Sequence, residues 1–164
     1  MALTACGAER IYADDDAVLR ARHTGEAASI TLVTVLNAKT DAGAHSALLI
    51  NGSESVLFDP AGSFKITPMP ERGDVLYGAT PRMMSAFIDY HARDTHYVRS
   101  QTLYVSPQTA EALLIAVKRN GAVSKAHCAN SISRILGAMP EFARIGSTYF
   151  PKVLEADFIQ DPRV

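Results

Sequence analysis

Residues 45–59 read His-Ser-Ala-Leu-Leu-Ile-Asn-Gly-Ser-Glu-Ser-Val-Leu-Phe-Asp and contain the clearest hairpin signal in the chain. Two apolar runs flank the polar connection Asn-Gly-Ser, and Asn-Gly between apolar runs is typical of a β-hairpin. If the connection has three residues, Ile50 pairs with Glu54 and His45 lies directly opposite Asp59. Directly opposed side chains on one face have Cβ atoms about 4.5–5.5 Å apart. The hairpin therefore predicts a carboxylate that binds one imidazole nitrogen and fixes the tautomer of the ring.

The segments around this hairpin alternate between strand and helix patterns, which predicts an α+β fold. The run from Ile30 to Leu36 is β-branched and apolar, as expected of a buried strand. Ser106 and Pro107 are typical of the N-cap and first turn of a helix. The other predictions are a strand at 96–105, helices at 81–92, 107–121 and 128–139, an irregular surface segment at 63–79, and a tail from residue 141 that packs on the domain through Phe142, Phe150 and Leu154.

The composition of the chain bounds its size and class. With 164 residues, it is about one domain long. It is 48% hydrophobic and 20% charged, with a formal net charge of −1 and no basic block, so we expect no nucleic-acid partner. No apolar run reaches the roughly 18 residues of a membrane-spanning helix, and we expect the body of the protein to be soluble.

The N-terminal segment suggests a lipid anchor. Cys6 lies in Leu-Thr-Ala-Cys-Gly, which resembles the lipobox at which bacterial lipoproteins are cleaved and lipidated. Only five residues precede Cys6, so a chance match is the alternative. The acidic segment that follows is typical of a tether, which predicts a division into a lipobox remnant and tether at 1–28 and a folded domain at 29–164. The location is then the periplasmic envelope, or otherwise the cytoplasm, and a disulfide between Cys6 and Cys128 is not expected.

The second cysteine, Cys128, lies in a different setting. It opens a predicted helix in which Ile132 and Ile135 follow on the same face, so its thiol should point towards the sheet. A helix N-terminus and a nearby imidazolium both favour a thiolate. The free N–H groups of the first turn can also hold a developing oxyanion. A complete nucleophilic catalytic group therefore consists of the thiol of Cys128, the imidazole of His45 and the carboxylate of Asp59.

The order of these motifs resembles a known family. The segments 45–50, 56–59 and 127–132 are similar to the circularly permuted NlpC-like branch of papain-like enzymes, which includes lecithin retinol acyltransferase-like proteins. The resemblance covers about residues 29–140. It implies a permuted papain-like fold, in which an antiparallel sheet packs against helices, one of them bearing the cysteine. It also implies thiol-dependent cleavage or transfer at amide or ester bonds, and its third catalytic residue is variable, so Asp59 is the least fixed of the three.

Each site residue also has a structural interpretation. Cysteine is among the most buried residue types, so Cys128 alone would be a core residue. His45 alone would simply begin a strand, and Asp59 before a proline would make a turn. His127 adjoins Cys128, but neighbours in sequence seldom share a helix face, so a flanking or substrate-binding role is only the alternative to a structural one. Two further histidines, His91 and His96, are interpreted as structural. No cofactor is predicted, and the four residues His91, His96, His127 and Cys128 lack the spacing of a metal site.

Two functions follow from these patterns. In the first, the protein is a thiol hydrolase or acyltransferase of the bacterial cell envelope, with Cys128 as nucleophile, His45 as general base and Asp59 orienting His45. In the second, it is a non-catalytic envelope lipoprotein that uses the same fold as a binding module. The substrate is left open between a cell-wall peptide, a lipid ester and a protein amide. The only expected membrane contact is a lipid anchor at Cys6.

Overall fold

The computed structural model describes residues 11–25 and 27–162. In this part of the chain, a six-stranded antiparallel sheet in the order β4-β5-β3-β2-β1-β6 combines with five α-helices, which is an α+β fold as predicted. The strands are β1 (Ser29–Asn37), β2 (Gly43–Asn51), β3 (Ser55–Phe58), β4 (Glu71–Arg72), β5 (Val75–Tyr77) and β6 (His96–Tyr104). The helices are α1 (Asp15–Ala21), α2 (Pro81–His91), α3 (Pro107–Asn120), α4 (Cys128–Gly137) and α5 (Pro151–Ile159), with a 3-10 turn at Pro140–Phe142.

The sheet is covered on both faces. Side chains alternate along β1, so that Ile30 and Leu32 join a larger core and Val33 joins a smaller one. The larger core lies under α3, α4 and α5, and the smaller one contains Phe87 of α2. Completely burying an aliphatic or aromatic side chain contributes about 1.5–3 kcal/mol. This two-sided burial explains why β1 is buried along almost its whole length.

The predicted hairpin is present, but its predicted register is wrong. Asn51 pairs with Ser55, and the ladder continues to the pair of Leu48 and Phe58. The pair that starts the hairpin is held by a bond from Ser55 Oγ to Asn51 Oδ1 at 2.7 Å. The turn therefore lies one residue later than expected, and His45 is not directly opposite Asp59. A shift of two residues in the pairing keeps every side chain on its original face, so the two side chains still share a face.

The segment 63–79 was predicted to be irregular, and this prediction is wrong for its second half. Strands β4 and β5 form a tight hairpin in which Arg72 pairs with Val75. Gly73 and Asp74 both have positive φ, at 54° and 65°, as a two-residue hairpin turn requires. β5 is buried and extends the sheet by pairing with β3. The strands were missed because they are short and lie among prolines and glycines.

Residues 1 to about 25, within the predicted tether, were expected to pack poorly, and this is wrong for the part that the structure describes, since Val18 packs against the larger core. Asp14 caps α1 by accepting from the N–H of Ala17 at 2.7 Å. The segment is joined to β4 by a bond from Ala13 N–H to the Glu71 carbonyl at 2.9 Å. Helix α1 therefore packs on the domain. Cys6 and the lipobox lie outside the described residues.

The tail packs on the domain, as predicted, although not through every expected residue. Phe142 and Leu154 are completely buried, whereas Phe150 is 69% exposed because it stands at the N-cap of α5. The predicted helices at 81–92, 107–121 and 128–139 correspond to α2, α3 and α4. Among the described helices, none combines the length and apolar character that crossing a membrane requires.

Candidate active site

The open end of the hairpin brings His45 and Asp59 together. His45 Nε2 lies 2.6 Å from Asp59 Oδ1, and the carboxylate is buried. The β1–β2 register shifts next to His45, since Val35 pairs with His45 and Leu36 with Gly43. Such a bulge re-aims a neighbouring side chain. Asp59 precedes the position directly opposite His45 by two residues, so the two residues are diagonal neighbours. The bulge and this diagonal position together bring the carboxylate to the imidazole.

A turn after β3 folds Asp59 back towards His45. Gly62 N–H donates to the Asp59 carbonyl at 2.9 Å, and Ala61 within the turn has a φ of 58°. The Asp59 carboxylate lies directly over Gly62, where an added Cβ would stand 1.8 Å from Oδ2. Only glycine leaves room for the carboxylate in this position.

A second buried carboxylate, Asp74, holds this turn. Its Oδ2 accepts from Ala61 N–H and from Val123 N–H, both at 2.9 Å. Its carbonyl accepts from Asp59 N–H at 2.8 Å. Burial raises the pKa of Asp74, while the two backbone donors lower it, and the pKa lies above its usual value. Asp74 thus connects the turn that bears Asp59 with the loop that leads to Cys128.

Helix α4 begins at Cys128 and presents its thiol to His45. The cysteine is only 6% exposed. The first backbone bond described for the helix runs from Ser131 N–H to the His127 carbonyl at 2.9 Å, and no side chain caps this end. The thiol lies close enough to His45 and to the backbone N–H groups of Ser46 and Ala129 for all three to lower the pKa of Cys128. Since Asp59 takes Nε2, Nδ1 is the ring nitrogen left for the thiol.

The electrostatics of the pair favour a thiolate beside an imidazolium. Burial lowers the pKa of His45, but the hydrogen bonds and charges of Asp59 and Cys128 raise it to about 10. Burial raises the pKa of the Cys128 thiol, whereas His45 and the two backbone donors lower it, and the pKa lies below its ordinary value. Each group thus stabilises the charge of the other.

His91 borders the site, although the sequence gave it only a structural interpretation. Its ring stacks on that of His45, with centroids 5.6 Å apart and an interplanar angle of 12°. Its Nδ1 lies 2.9 Å from the Phe87 carbonyl, so Nδ1–H donates to that oxygen. Burial lowers the pKa of His91. The sequence signal available was helical spacing, which predicts a shared face with Phe87 but not the strand that this face meets.

The remaining histidines do not join the group of three. The His127 ring contacts Tyr149, with centroids 5.4 Å apart, and its Nδ1 lies 3.1 Å from the Lys125 carbonyl. His96 accompanies His91 along a cavity beside His45. Over residues 11–25 and 27–162, no group of three or more His, Cys, Asp or Glu side chains is placed to hold a metal ion.

Comparisons of the chain with protein-family models, with curated proteins and with solved structures found no match. The function of the site is therefore inferred from its geometry and chemistry. A buried carboxylate, an imidazole and a thiol follow one another in that order, and the imidazole and two backbone N–H groups lower the pKa of the thiol. Such a group can form and stabilise a sulfur nucleophile.

Proposed function

We propose that the protein is a thiol-dependent hydrolase or acyltransferase that acts on an amide or ester bond. The observation that supports this most is the chain of contacts from Asp59 through His45 to Cys128, in which the thiol and the ring shift each other's pKa towards the charged forms. A core cysteine would need neither an imidazole nor two backbone donors at its sulfur.

In the proposed reaction, the Cys128 thiolate attacks the substrate carbonyl carbon and forms a tetrahedral intermediate. N–H groups at the start of α4 stabilise the oxyanion. The His45 imidazolium gives its proton to the leaving nitrogen or oxygen, and the intermediate collapses to a thioester on Cys128. A water molecule or an acceptor alcohol or amine then attacks the thioester while His45 takes its proton. The acyl group leaves, and the thiolate and imidazolium are restored.

The roles of Asp59 and Ser46 follow from their positions next to His45 and Cys128. Asp59 accepts from His45 Nε2, which orients the ring and stabilises its charge in both half-reactions. Ser46 N–H lies close enough to the sulfur to lower the pKa of the thiol, and the β2–β3 ladder ends at Leu48, before Ser46 is reached. The end of the ladder thus leaves Ser46 free of β3 and next to the thiol.

We also propose the permuted papain-like architecture for this fold. It is supported by the order along the chain, in which a strand with histidine precedes the acidic residue and the cysteine-bearing helix comes last. Placement in the bacterial envelope rests on the resemblance of the segment around Cys6 to a lipobox. DNA upstream that encodes, in frame, a basic start and an apolar stretch would support this placement, and an immediate in-frame stop codon would contradict it.

The proposed function is tested by trapping the acyl intermediate. A Cys6→Ser protein is mixed with an activated acetyl ester, quenched in acid and analysed by peptide mass spectrometry. We expect one acetyl group on Cys128, formed in the native protein and absent after unfolding in urea. A native protein in which Cys128 stays unacylated would contradict the proposal and would favour the binding module.

A further inference from the structure

A cavity of about 460 Å³ lies beside the candidate active site. The His45 ring forms part of its wall, together with the turn at Ala61 and Gly62 that holds Asp59 in place. The cavity and the thiol therefore share His45, because the same ring contacts Cys128. Cys128 itself does not line the cavity, so a substrate would have to extend from the thiol past the His45 ring to occupy it.

The polar side chains of this cavity are basic or neutral. Arg93 and three histidine rings line it, with Ser63 and Tyr90, and no acidic residue is among its lining residues. The hydroxyl groups of Ser63 and Tyr90 lie 3.1 Å apart. The cavity thus offers N–H and O–H donors and the cationic side chain of Arg93 next to a reactive centre.

Arg93 is held in place without the help of a carboxylate. Its Nε donates to the Tyr90 carbonyl at 2.9 Å, and its guanidinium lies 5.7 Å from the centroid of the Tyr90 ring. In the described part of the chain, Arg72 and Arg99 by contrast pair with Asp15 and Glu155, whereas no carboxylate of this part pairs with Arg93. Its terminal nitrogens are therefore available as a fork of donors for a ligand.

His91 adds a hydrogen-bond acceptor next to this fork. Its Nδ1–H is used by the Phe87 carbonyl, and a neutral ring bonded in this way has a lone pair on Nε2. Burial, and then the positive charges of His45 and Arg93, lower the pKa of His91 and so oppose protonation of the ring. A cationic fork beside a neutral acceptor complements a carboxylate that has an amide N–H nearby.

We propose that this cavity binds a carboxylate of the substrate, with Arg93 holding the carboxylate and His91 accepting from a neighbouring amide N–H. The substrate class is thus an acyl compound with an amide-linked carboxylate, such as the end of a peptide, and a neutral lipid ester is disfavoured. This assignment rests on the proposed function of Cys128, since the cavity matters to a substrate that reacts there.

The test compares two alkylating reagents that differ only in charge. N-iodoacetylglycine carries a carboxylate one residue beyond its reactive carbon, and N-iodoacetylglycinamide carries a neutral amide at that place. Second-order rates of Cys128 alkylation are measured at pH 7 in the Cys6→Ser protein. The ratio of the acid rate to the amide rate isolates recognition of the carboxylate, because a general change in thiol reactivity cancels.

We expect Arg93→Gln to lower this ratio by about threefold to tenfold, as for the loss of one charge-assisted contact. The matched control is Arg82→Gln, which removes the same charge from the opposite end of α2, where the residue is also exposed. The control should leave the ratio unchanged. His91→Ala should slow both reagents, because both carry the amide N–H.

The outcomes separate this inference from the proposed function. If Arg93→Gln lowers the ratio of the acid rate to the amide rate no more than Arg82→Gln does, the carboxylate site is overturned. This holds even where both reagents label Cys128 rapidly. If both reagents label the native protein no faster than the unfolded protein, the thiol is not activated and the proposed function fails. The ratio in the two arginine variants still decides whether the cavity recognises a carboxylate.

Discussion

At the residue scale, the neighbours of the Cys128 sulfur favour its thiolate form, while the sulfur itself contributes little to the packing of the core. The thiol is small and lies at the start of α4, while the apolar contacts of that helix come from residues such as Ile132 and Leu136. Its backbone donors are Ser46 and Ala129. Changes to the sulfur should therefore affect chemistry more than folding.

Cys128→Ser separates these two effects. The volume is nearly conserved, so we expect the free energy of unfolding to change by no more than about 1 kcal/mol. Acylation from an activated ester should fall to background, because the hydroxyl is far less acidic than the thiol. Urea unfolding and mass spectrometry of the same preparation check the prediction. Retained acylation at residue 128 would show that a thiolate is not required.

Asp59→Asn should be milder than loss of the imidazole. The amide oxygen still accepts from His45 Nε2–H, but the bond loses its charge, which roughly halves its strength. We expect alkylation of Cys128 to slow by about threefold to tenfold, and to slow further in His45→Ala. Rates at pH 7 with a neutral iodoacetamide reagent check this order. Equal rates in the native protein and both variants would exclude a functional role for the pair.

At the element scale, the hairpin shows what the sequence can and cannot predict. The alternation along β2 and β3 puts His45 and Asp59 on one face, and this placement survives a register that differs from the expected one. Local pattern could not predict that Asn51 and Ser55 would close the ladder, because that choice depends on a side-chain bond between them. Nor could it predict β5, whose burial depends on β3 beside it, or the two-residue strand β4, which pairs with β5 alone.

Gly62→Ala tests the turn after β3. A Cβ at residue 62 would collide with the Asp59 carboxylate, so the carboxylate must leave His45. We expect slower alkylation of Cys128 and a loss of about 1–3 kcal/mol in the free energy of unfolding, as for other overpacked sites. Alkylation rates and urea unfolding measure the two effects.

Gly146→Ala is the matched control, because a Cβ at that position meets nothing within 4 Å. It should leave both quantities unchanged. If Gly62→Ala behaves like this control, the carboxylate is not confined by the turn.

At the scale of the whole molecule, the three site residues come from segments that the sheet and its two helical layers bring together. Asp74 is the clearest link, since its side chain bonds Ala61 and Val123, which belong to different segments. The sequence predicted the individual residues of the candidate site but not this link. A buried aspartate in a short hairpin turn has no local pattern that distinguishes it from an ordinary turn residue.

Asp74→Ala should leave two buried backbone N–H groups without their acceptor. We expect a loss of about 2–6 kcal/mol in the free energy of unfolding, from about 1–3 kcal/mol for each of the two unsatisfied groups. Alkylation of Cys128 should slow as well, because the turn and the loop before α4 lose their common anchor. Urea unfolding and alkylation rates at pH 7 measure the two losses.

Asp74→Asn provides the control for this change. It keeps an acceptor oxygen and removes a buried charge, so it should retain most of the stability and reactivity. If the Asn variant loses as much stability and reactivity as the Ala variant, an uncharged acceptor oxygen at residue 74 is not sufficient, which would contradict this role.

The central claim is that His45 holds Cys128 as a reactive thiolate, and the pH dependence of alkylation tests it most directly. The second-order rate with iodoacetamide is measured from acidic to alkaline pH in the Cys6→Ser protein, with and without His45→Ala. Because the pKa of the thiol is lowered and that of His45 is raised to about 10, the ion pair should persist across neutral pH. We predict that the rate reaches its plateau at a pH well below 8.5, which is about the pKa of a free cysteine. The pH at which the rate is half its plateau value should rise in His45→Ala. A native thiol that reacts only after unfolding, or a profile that His45→Ala leaves unchanged, would contradict the account.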